Sequence, residues 1–405
     1  MTRQRLVVVG ASLAGVRAVR AAREAGFDGH LVLVGAEPHL PYDRPSLSKA
    51  FLEATAEPPA PTFLGRDVLR YDLKVDLRLG VPATGLDTKA RTVTVAGVPL
   101  DYDRLVIATG AKARGLAGFE HLAGVHTLRT LDDARAVRRA LHAGARTVVV
   151  GAGFIGSEVA SSARKRGQPV TVVEALPTPL VRAIGEVMGT ACSALHTANG
   201  TVLRCGVTVT GLEGDGRVER VLLSDGTVLP ADLVVVGVGA APATGWLAGS
   251  GLALGDGVVC DRTLATSAAG VYAAGDVARW WNPLFERHMR LEHWTSAAEQ
   301  GAVAGRNAVS RTATEPYETV PYFWSDWYGT RIQFVGVPEG DVESVGDGDR
   351  FVALYRHGDR LAGALAVNRP SLTMKFRALI RRWAGWDEAL ALAAPGSAAG
   401  TPLVR

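Results

Sequence analysis

The chain has 405 residues, 47% hydrophobic and 21% charged, so it can bury two or three domain cores and is not intrinsically disordered. Its formal net charge is only +4 and no long run of like charge occurs, which argues against nucleic acid as the main partner. No apolar run reaches the ~18 residues of a membrane span, and the N-terminus leads straight into a strand pattern without a secretory apolar core. We therefore expect a soluble, cytoplasmic protein that does not bind membranes.

The first elements along the chain predict a nucleotide-binding unit. A strand near 5–9 leads into the turn Gly10-x-Ser12-x-x-Gly15, a helix near 13–25 and a second strand that ends at Glu37. Free N–H groups at the helix start bind a pyrophosphate, and the acid accepts a hydrogen bond from a ribose hydroxyl. Ser12 replaces the usual middle glycine, but it is small and its hydroxyl can donate to phosphate.

The same pattern returns after short alternating strands, a buried strand over 102–111 and a helix over 132–142. The segment "VVVGAGFIGSEVA" at 148–160 carries all three glycines, Gly151, Gly153 and Gly156, and the next strand ends at Glu174. A carboxylate at that point favours NADH, because it pairs with the 2′-hydroxyl and repels the 2′-phosphate of NADPH. Arg182 follows closely and weakens this preference. Two dinucleotide sites in one chain indicate that two cofactors meet.

The rest of the chain predicts further strands and a separate C-terminal region. Strands are expected at 201–209, 218–223 and 231–238, then a strand and glycine turn at 270–278 and a helix at 296–309. From about residue 316 the composition becomes rich in aromatic residues, which indicates a C-terminal domain. The small residues at 393–405 are expected to be mobile.

Cys192, Cys205 and Cys260 form no C-x-x-C pair, and no cluster of cysteine and histidine has zinc or iron–sulfur spacing. We expect reduced thiols that serve as small apolar side chains, and no metal site.

Eight motifs in order resemble the flavin-dependent pyridine-nucleotide reductases, and specifically the ferredoxin reductases of bacterial oxygenase systems, a group that includes putidaredoxin reductase. They are "GASLAG", "PYDRPSLSK" at 41–49, "ATGA", "LRTLDDA" at 128–134, "GAGFIGSE", "GVYAAGDVA", "LEHWTSAAEQG" and "PYFWSDWYG". The resemblance implies an α/β fold with two Rossmann-like dinucleotide-binding domains, for FAD and NADH, and a C-terminal α+β domain. The implied divisions are 1–112 with 241–315 for FAD, 113–240 for NADH, and 316–405.

The resemblance also implies a set of binding residues. The FAD pyrophosphate is assigned to the first turn, its ribose to Glu37, and further contacts to the loop, turn and aromatic positions of the motifs. The FAD residues are Gly10, Ser12, Ala14, Gly15, Glu37, Arg44, Lys49, Ala83, Arg129, Asp276, Trp294 and Trp324. The NADH residues are Gly151, Gly153, Phe154, Ile155, Gly156, Glu158, Glu174 and Gly239. Phe154 is expected to cover the flavin where nicotinamide stacks, although an ordinary core role for it stays open. For His293 a structural role is favoured over a catalytic one.

Lys49 and Glu158 are the expected catalytic pair. Both match positions of the resembled family, in which an ammonium near the flavin stabilises the negative charge that hydride transfer brings, and a carboxylate orients that ammonium. The open alternative is an ordinary exposed ion pair, which contributes only ~0–1 kcal/mol.

Electrons are expected to leave from the flavin itself, because the loop helix "PSLSKAFLEA" carries Lys49 and no thiol. The implied activity is NADH-dependent, FAD-mediated reduction of a two-iron ferredoxin that serves a monooxygenase or a Rieske dioxygenase. An NADH oxidase or monodehydroascorbate-type reductase stays open, as does a non-enzymatic redox sensor like apoptosis-inducing factor. The segment "KFRALIRRWAGW" offers Lys375, Arg377, Arg381 and Arg382 to an acidic ferredoxin, unless it is a plain solvated helix face.

Overall fold

A computed structural model describes residues 4–119, 121–312 and 314–394. The residues from 395 to the end, which include most of the tail expected to be mobile, lie outside the described part. The α-helices in the described residues are α1 (Leu13–Glu24), α2 (Ala50–Glu53), α3 (Leu131–His142), α4 (Phe154–Lys165), α5 (Val181–Ala198), α6 (Trp294–Val309), α7 (Pro370–Arg381) and α8 (Trp386–Ala393).

The strands are numbered in chain order. Those before residue 240 are β1 (Arg5–Val9), β2 (His30–Gly35), β3 (Val75–Leu79), β4 (Ala83–Asp87), β5 (Thr92–Val95), β6 (Val98–Asp101), β7 (Arg104–Ile107), β8 (Ala111–Ala113), β9 (Val125–Thr127), β10 (Thr147–Val150), β11 (Val170–Glu174), β12 (Val202–Cys205), β13 (Val209–Glu213), β14 (Arg220–Leu223), β15 (Val228–Pro230) and β16 (Leu233–Val236). The later ones are β17 (Ala240–Pro242), β18 (Leu254–Gly255), β19 (Gly257–Cys260), β20 (Val271–Ala273), β21 (Ala278–Asn282), β22 (Arg287–Met289), β23 (Tyr322–Trp327), β24 (Thr330–Gly336), β25 (Asp341–Asp347), β26 (Arg350–His357) and β27 (Arg360–Val367).

The first of two compact units contains the described residues within 1–43, 60–112 and 241–319. Its parallel sheet has the order β20-β7-β1-β2-β3, and β1 is apolar and buried from Leu6 to Val9 because a parallel sheet is covered on both faces. Helix α6 approaches α1 closely through two glycines. A Cβ at Gly301 would lie 2.3 Å from the carbonyl oxygen of Ala14, and one at Gly305 would lie 2.2 Å from that of Ala18. This close approach fixes the start of α1 beside α6.

The second unit contains the described residues within 44–59, 113–240 and 320–394. It repeats the parallel arrangement in the order β12-β11-β10-β16-β9, with β10 in the centre and buried at every position. It also contains an antiparallel sheet, β23-β24-β27-β26-β25, against which α7 packs through Leu372 and Phe376 among others. The predicted fold class is thereby confirmed, whereas the division into three domains stays a prediction.

Two sequence expectations differ from the structure, and one helix is additional to them. Helix α5 was not predicted, because Gly185 (φ +74°) and Gly189 interrupt the apolar pattern of its residues. The single strand expected at 201–209 is two strands, since Gly206 turns the chain at φ +71° between β12 and β13. Strand β2 ends at Gly35 rather than at Glu37.

A buried polar network joins α5 to α4 and to the turn after β23. The ring of His196 is fully buried, its Nδ1 lies 2.9 Å from the Tyr328 hydroxyl, and its Nε2 lies 3.2 Å from the Ser157 hydroxyl. The ring also stacks on Trp327 at a centroid distance of 5.5 Å. Burial lowers the pKa of His196 to about 4, so the imidazole is neutral at neutral pH.

We expect His196 to make folding sensitive to acid. Because its pKa is lower in the folded chain than the ordinary 6.5, the unfolded chain binds the proton first. The contribution to stability is therefore complete above that ordinary value and is lost as the pH falls toward the folded pKa of about 4. At about pH 5 the loss relative to neutral pH is about 2 kcal/mol.

Urea unfolding of the parent protein and of His196→Gln at both pH values measures this contribution. The variant is expected to lose less stability on acidification than the parent. The exposed His121, changed to Gln, is the control and is expected to leave the parental pH dependence in place. Equal pH dependence in the parent and in His196→Gln would contradict the interpretation.

Candidate functional site

The glycine turn of the second unit is shaped by backbone contacts that exclude side chains. Gly151 has φ +98°, and a Cβ there would lie 2.5 Å from the carbonyl oxygen of Gly237. A Cβ at Gly156 would lie 2.1 Å from the carbonyl oxygen of Gly151. At Gly153, the N-cap of α4, the nearest atom to a Cβ would be 3.8 Å away. The first and third glycines are therefore required by the fold, and the second leaves room for phosphate to approach the N-terminus of α4.

Glu174 lies beside this turn, at the end of β11. Its carboxylate accepts hydrogen bonds from the backbone N–H groups of Ala152, at 2.8 Å, and Leu176, at 2.9 Å. It is only half-buried, so it remains accessible to a ribose hydroxyl. Arg182 is exposed in the first turn of α5, and Gly239 is exposed just beyond β16 with φ +98°.

The first unit builds its turn in the same way. A Cβ at Gly10 would lie 2.0 Å from the carbonyl oxygen of Ala108, and one at Gly15 would lie 1.9 Å from that of Gly10. Ser12 is the N-cap of α1 and has extended backbone angles, which any residue can adopt. The serine therefore fits the middle position without strain. Both turns satisfy the steric requirement for a dinucleotide pyrophosphate.

Two further predicted residues of the first unit are placed by their neighbours. The Asp276 turn lies against the start of α1, because Gly275 packs close to Ala14: a Cβ at that glycine would be 3.1 Å from the alanine Cβ. The carboxylate of Glu37 accepts a 2.5 Å hydrogen bond from the buried Tyr42 hydroxyl. Asp276 is thus brought to the first glycine turn, and Glu37 is held in one orientation.

The remaining predicted positions of the first unit are Ala83, Trp294 and His293. Ala83 begins β4 and is half-buried. Trp294 begins α6, and its indole Nε1 donates to Asp43 at 2.7 Å while 38% of the residue is exposed. His293 precedes it as the N-cap of α6, and burial lowers its pKa to about 4, so this ring is neutral at neutral pH.

The second unit brings Lys49 and Glu158 together. Their Nζ and Oε1 atoms are 2.8 Å apart, and the Glu158 side chain is only 2% exposed. The other carboxylate oxygen accepts a 2.5 Å bond from the Ser48 hydroxyl, and Ser325 donates to Oε1. Lys49 also donates to the Pro45 carbonyl at 3.2 Å. The carboxylate is therefore buried and the ammonium is partly buried, unlike the exposed pair considered from the sequence.

Phe154 lies at the start of α4 and packs against aromatic residues of the antiparallel sheet. Its ring centroid is 4.7 Å from that of Phe323 and 6.2 Å from that of Trp327. It is only partly buried, and its neighbour Ile155 is 43% exposed. Phe154 thus shares in the core and still presents part of its ring to solvent.

Arg44, Arg129 and Trp324 complete the predicted positions. The Arg44 guanidinium donates to the backbone carbonyl of Arg129 at 2.7 Å, which joins the two residues. Trp324 lies on the face of β23 opposite to Trp327, stacks on Tyr322 at 5.8 Å, and lies under the Arg331 guanidinium.

Several supporting residues were missed in the sequence. Ser48, Ser325 and Tyr42 hold the carboxylates of the site, and Gln300 accepts from the Gly275 N–H at 2.8 Å. The period of two in β23 places Ser325 and Trp327 on the buried face, which was a usable signal. No comparable signal marks Ser48 or Gln300, because their contacts join residues 110 and 25 positions apart. Tyr42 is only five residues from Glu37, but no periodic pattern in that loop indicates their contact.

The cysteines are structural. All three are free thiols, and burial raises the pKa of Cys192 and Cys260 to about 12 and also raises that of Cys205. Within the described ranges no group of His, Cys, Asp and Glu is arranged to hold a metal ion. In the same ranges no helix combines the length and the apolar character that crossing a membrane requires.

This architecture is that of a known enzyme class. Residues 4–301 match the family model described as pyridine nucleotide-disulphide oxidoreductase, and residues 322–397 match the model described as reductase C-terminal. The chain belongs to this oxidoreductase family.

Its relatives define the branch of the family. The ferredoxin–NAD(+) reductase component of the biphenyl dioxygenase system from Paraburkholderia xenovorans is 40% identical over 348 residues, which is 85% of this chain and 84% of that one. Putidaredoxin reductase of Pseudomonas putida is 35% identical over 379 residues, 90% of this chain and 89% of that one. A crystal structure of the covalent putidaredoxin reductase–putidaredoxin complex aligns with a TM-score of 0.92 at 32% identity, covering 97% of this chain and 96% of that one.

We expect Lys49 and Glu158 to be strongly coupled in stability. Lys49→Met leaves a buried carboxylate without its cation, whereas the double variant with Glu158→Gln removes both charges. The double variant is therefore expected to lose less free energy of unfolding than the two singles together, with a coupling of about 1–3 kcal/mol.

Urea unfolding of the FAD-loaded single and double variants measures this coupling. The control is the same cycle on Lys165 and Glu53, whose charged atoms are also 2.8 Å apart but whose side chains are 48% and 30% exposed. That pair is expected to couple by less than about 1 kcal/mol. Strict additivity at Lys49 and Glu158 would contradict the buried-pair interpretation.

Proposed function

We propose that this chain is an FAD-dependent NADH:ferredoxin oxidoreductase, which takes electrons in pairs from NADH and delivers them singly to a ferredoxin. The observation that carries the proposal is the match of both the two-nucleotide region and the C-terminal region to reductase families, with ferredoxin reductase components among the relatives. The two glycine turns support it, because each has the backbone shape that a dinucleotide requires.

FAD, when bound, would supply the chemistry, because it accepts hydride as an electron pair and releases electrons one at a time. We infer that Gly10, Ser12 and Gly15 hold its pyrophosphate, with Glu37 on the ribose. Arg44, Lys49, Ala83, Arg129, Asp276, Trp294 and Trp324 are proposed as further FAD contacts. The proposed role of the protein is to hold the cofactors and to place charged side chains beside them, rather than to donate or accept protons.

NADH is assigned to the second turn. We infer that Gly151, Gly153 and Gly156 bind its pyrophosphate and that Glu174 selects it over NADPH, because a carboxylate beside the ribose repels a 2′-phosphate. Phe154, Ile155 and Gly239 are proposed to complete the site. Phe154 is suited to cover the cofactor, since part of its ring remains exposed while its other side packs on Phe323.

Lys49 is proposed to stabilise the negative charge that hydride transfer brings to the cofactor, and Glu158 to keep the ammonium oriented. The burial of Glu158 and the partial burial of Lys49 support this role, because the field of an ammonium is stronger where less water surrounds it. A thiol route is disfavoured, since burial raises the pKa of each cysteine and so keeps it protonated.

The other two readings have less support. Human apoptosis-inducing factor 3 is 33% identical over 383 residues, but the chain spans only 62% of its length. This chain covers 84% and 89% of the length of the two reductases described above, at 40% and 35% identity. A ferredoxin reductase is therefore a better account of this chain than a redox sensor, and ferredoxin-dependent turnover separates it from an oxidase.

The partner is proposed to be a two-iron ferredoxin that serves a monooxygenase or a Rieske dioxygenase, within the cytoplasm. We assign its docking to the basic side of α7. Lys375 and Arg381 are exposed on the helix, and Arg382 is exposed just after its end, where it pairs with Glu388. Arg377 is half-buried and donates to the Val320 carbonyl at 3.1 Å, so it supports the helix rather than the docking surface.

Anaerobic mixing of the FAD-loaded protein with NADH tests the function. We expect rapid flavin reduction, followed by ferredoxin-dependent reduction of cytochrome c with a ferredoxin from the same genome. Lys49→Ala is expected to slow flavin reduction by about 100-fold with FAD still bound, as loss of one charge-stabilising donor does. The exposed Lys89, changed to Ala, is the control. Unchanged reduction in Lys49→Ala, or cytochrome c reduction without ferredoxin, would count against the proposal.

The docking assignment predicts a salt effect. Arg381→Gln with Arg382→Gln is expected to lower kcat/KM for ferredoxin about 10-fold at low salt and to flatten its dependence on ionic strength, while flavin reduction by NADH stays the same. The charge-matched control is Arg217→Gln with Arg220→Gln, two exposed arginines elsewhere in the second unit. If both double variants show the same salt dependence, the α7 surface is not the docking site.

A further inference from the structure

One buried face of β23 is attached to one face of α4 by three contacts. Phe323 packs on Phe154, Ser325 donates to Glu158, and the backbone N–H of Tyr328, just beyond β23, donates to Ser161 at 2.7 Å. The three helix residues lie four and three positions apart, so they share one face of the helix. The antiparallel sheet therefore reaches the acid of the Lys49–Glu158 pair through a single hydroxyl.

The direction of the hydrogen bonds through Ser325 is fixed by chemistry. The Trp327 indole Nε1 can only donate, and it lies 2.7 Å from the Ser325 hydroxyl oxygen. That oxygen therefore accepts from Trp327, and its one proton is directed to Glu158. Glu158 Oε1 is therefore the acceptor of the Ser325 proton, and the same oxygen lies 2.8 Å from the Lys49 ammonium. Trp327 is fully buried, which keeps its indole from turning away.

The three donors to the carboxylate are not equivalent. Ser48 and Lys49 are consecutive residues of one segment, which a buried hydrogen bond from the Ser162 hydroxyl to the Ser48 carbonyl ties to α4. Ser325 belongs instead to the antiparallel sheet, and it is fully buried. Its bond to Oε1, the same oxygen that Lys49 contacts, therefore fixes that oxygen independently of the lysine segment.

We propose that Ser325, oriented by Trp327, is a positioning residue that holds the Glu158 carboxylate and through it the Lys49 ammonium. The inference rests on the proposed function for its catalytic meaning, since it deepens the role given there to the ion pair. The structural part of the proposal is that the Ser325 hydroxyl on β23 controls how firmly the Lys49 ammonium is held. That part can be tested without measuring turnover.

The matched control is Ser161. Its hydroxyl is also buried and also joins α4 to the end of β23, but it accepts from the Tyr328 backbone and does not touch Glu158. Ser325→Ala and Ser161→Ala each remove one buried bond between α4 and the end of β23, and Ser325→Ala also removes the acceptor of the Trp327 indole. A difference between them therefore reports on the carboxylate and on the Trp327–Ser325 bond that orients its donor, not on the loss of one contact between the two elements.

The first measurement is the reactivity of Lys49 in the FAD-loaded protein. The chain has six lysines, so trace acetylation followed by peptide mass spectrometry resolves each one, with the exposed Lys89 as the internal reference. In Ser325→Ala the labelling of Lys49 relative to Lys89 is expected to rise about 10-fold, the change that one bond to a charged group produces. Ser161→Ala and the hydroxyl-retaining Ser325→Thr are expected to stay at the parental ratio.

The second measurement is stopped-flow reduction of the flavin by NADH. Ser325→Ala is expected to lower the limiting rate about 10-fold and to leave the NADH concentration for half-saturation unchanged, since the residue orients a charge and does not bind NADH. If NADH reduces no flavin even in the parent, the proposed function fails, while the labelling ratio still decides the role of Ser325.

Unchanged labelling in Ser325→Ala, or an equal rise in Ser161→Ala, would overturn the inference. If Ser325→Ala does not fold, Ser325→Cys fills the same position with a somewhat larger atom that donates only weakly. That variant is then expected to raise the labelling of Lys49, and a parental ratio would overturn the inference equally.

Discussion

The second unit depends on one buried carboxylate. Glu158 lies in α4, and its two oxygens are met by Lys49 and Ser48 from one segment and by Ser325 from the antiparallel sheet. A buried charge is costly unless it is paired and fully hydrogen-bonded, so the three elements are held in the one arrangement that satisfies it. Segment 44–59, α4 and β23 are thereby held together at one point. The residue that is proposed to tune the chemistry is the same residue that organises the packing around it.

The two nucleotide turns rest on a different constraint, which is steric. In each turn the third glycine lies against the carbonyl of the first, at a distance where a Cβ would overlap an oxygen. The start of each helix packs closely on the end of the preceding strand. The N-terminus of the helix can then accept an anion, because its backbone N–H groups are the donors. The middle position carries no such overlap in the second turn, and this explains why serine is acceptable at the equivalent position in the first.

An acidic residue is held in place near each turn, and aromatic residues lie beside the second turn. Glu37 and Glu174 are both held by hydrogen bonds, the first from the Tyr42 hydroxyl and the second from two backbone N–H groups. Fixing a carboxylate in advance reduces the entropy lost on binding, which suits the ribose contacts proposed for both acids. The aromatic group of Phe154, Phe323 and Trp327 lies at the start of α4, where one ring stays partly exposed. In contrast, Cys192 and Cys260 are buried and Cys205 is half-buried, and burial raises the pKa of all three thiols.

The sequence by itself determined the doubled Rossmann-like fold, the two glycine turns, the acids after them and the family. These features are local: a strand, a glycine turn and a helix follow one another within about 30 residues, and hydrophobic periodicity reports them directly. It did not reveal α5, because Gly185 and Gly189 interrupt the pattern there. Only the tertiary structure decided that the Lys49–Glu158 pair is buried, that Ser48 and Ser325 share its carboxylate, and that Arg377 turns inward while Lys375 and Arg381 do not. Those contacts join residues up to 167 positions apart, and no local pattern encodes which distant hydroxyl will meet a given acid once the sheets have packed.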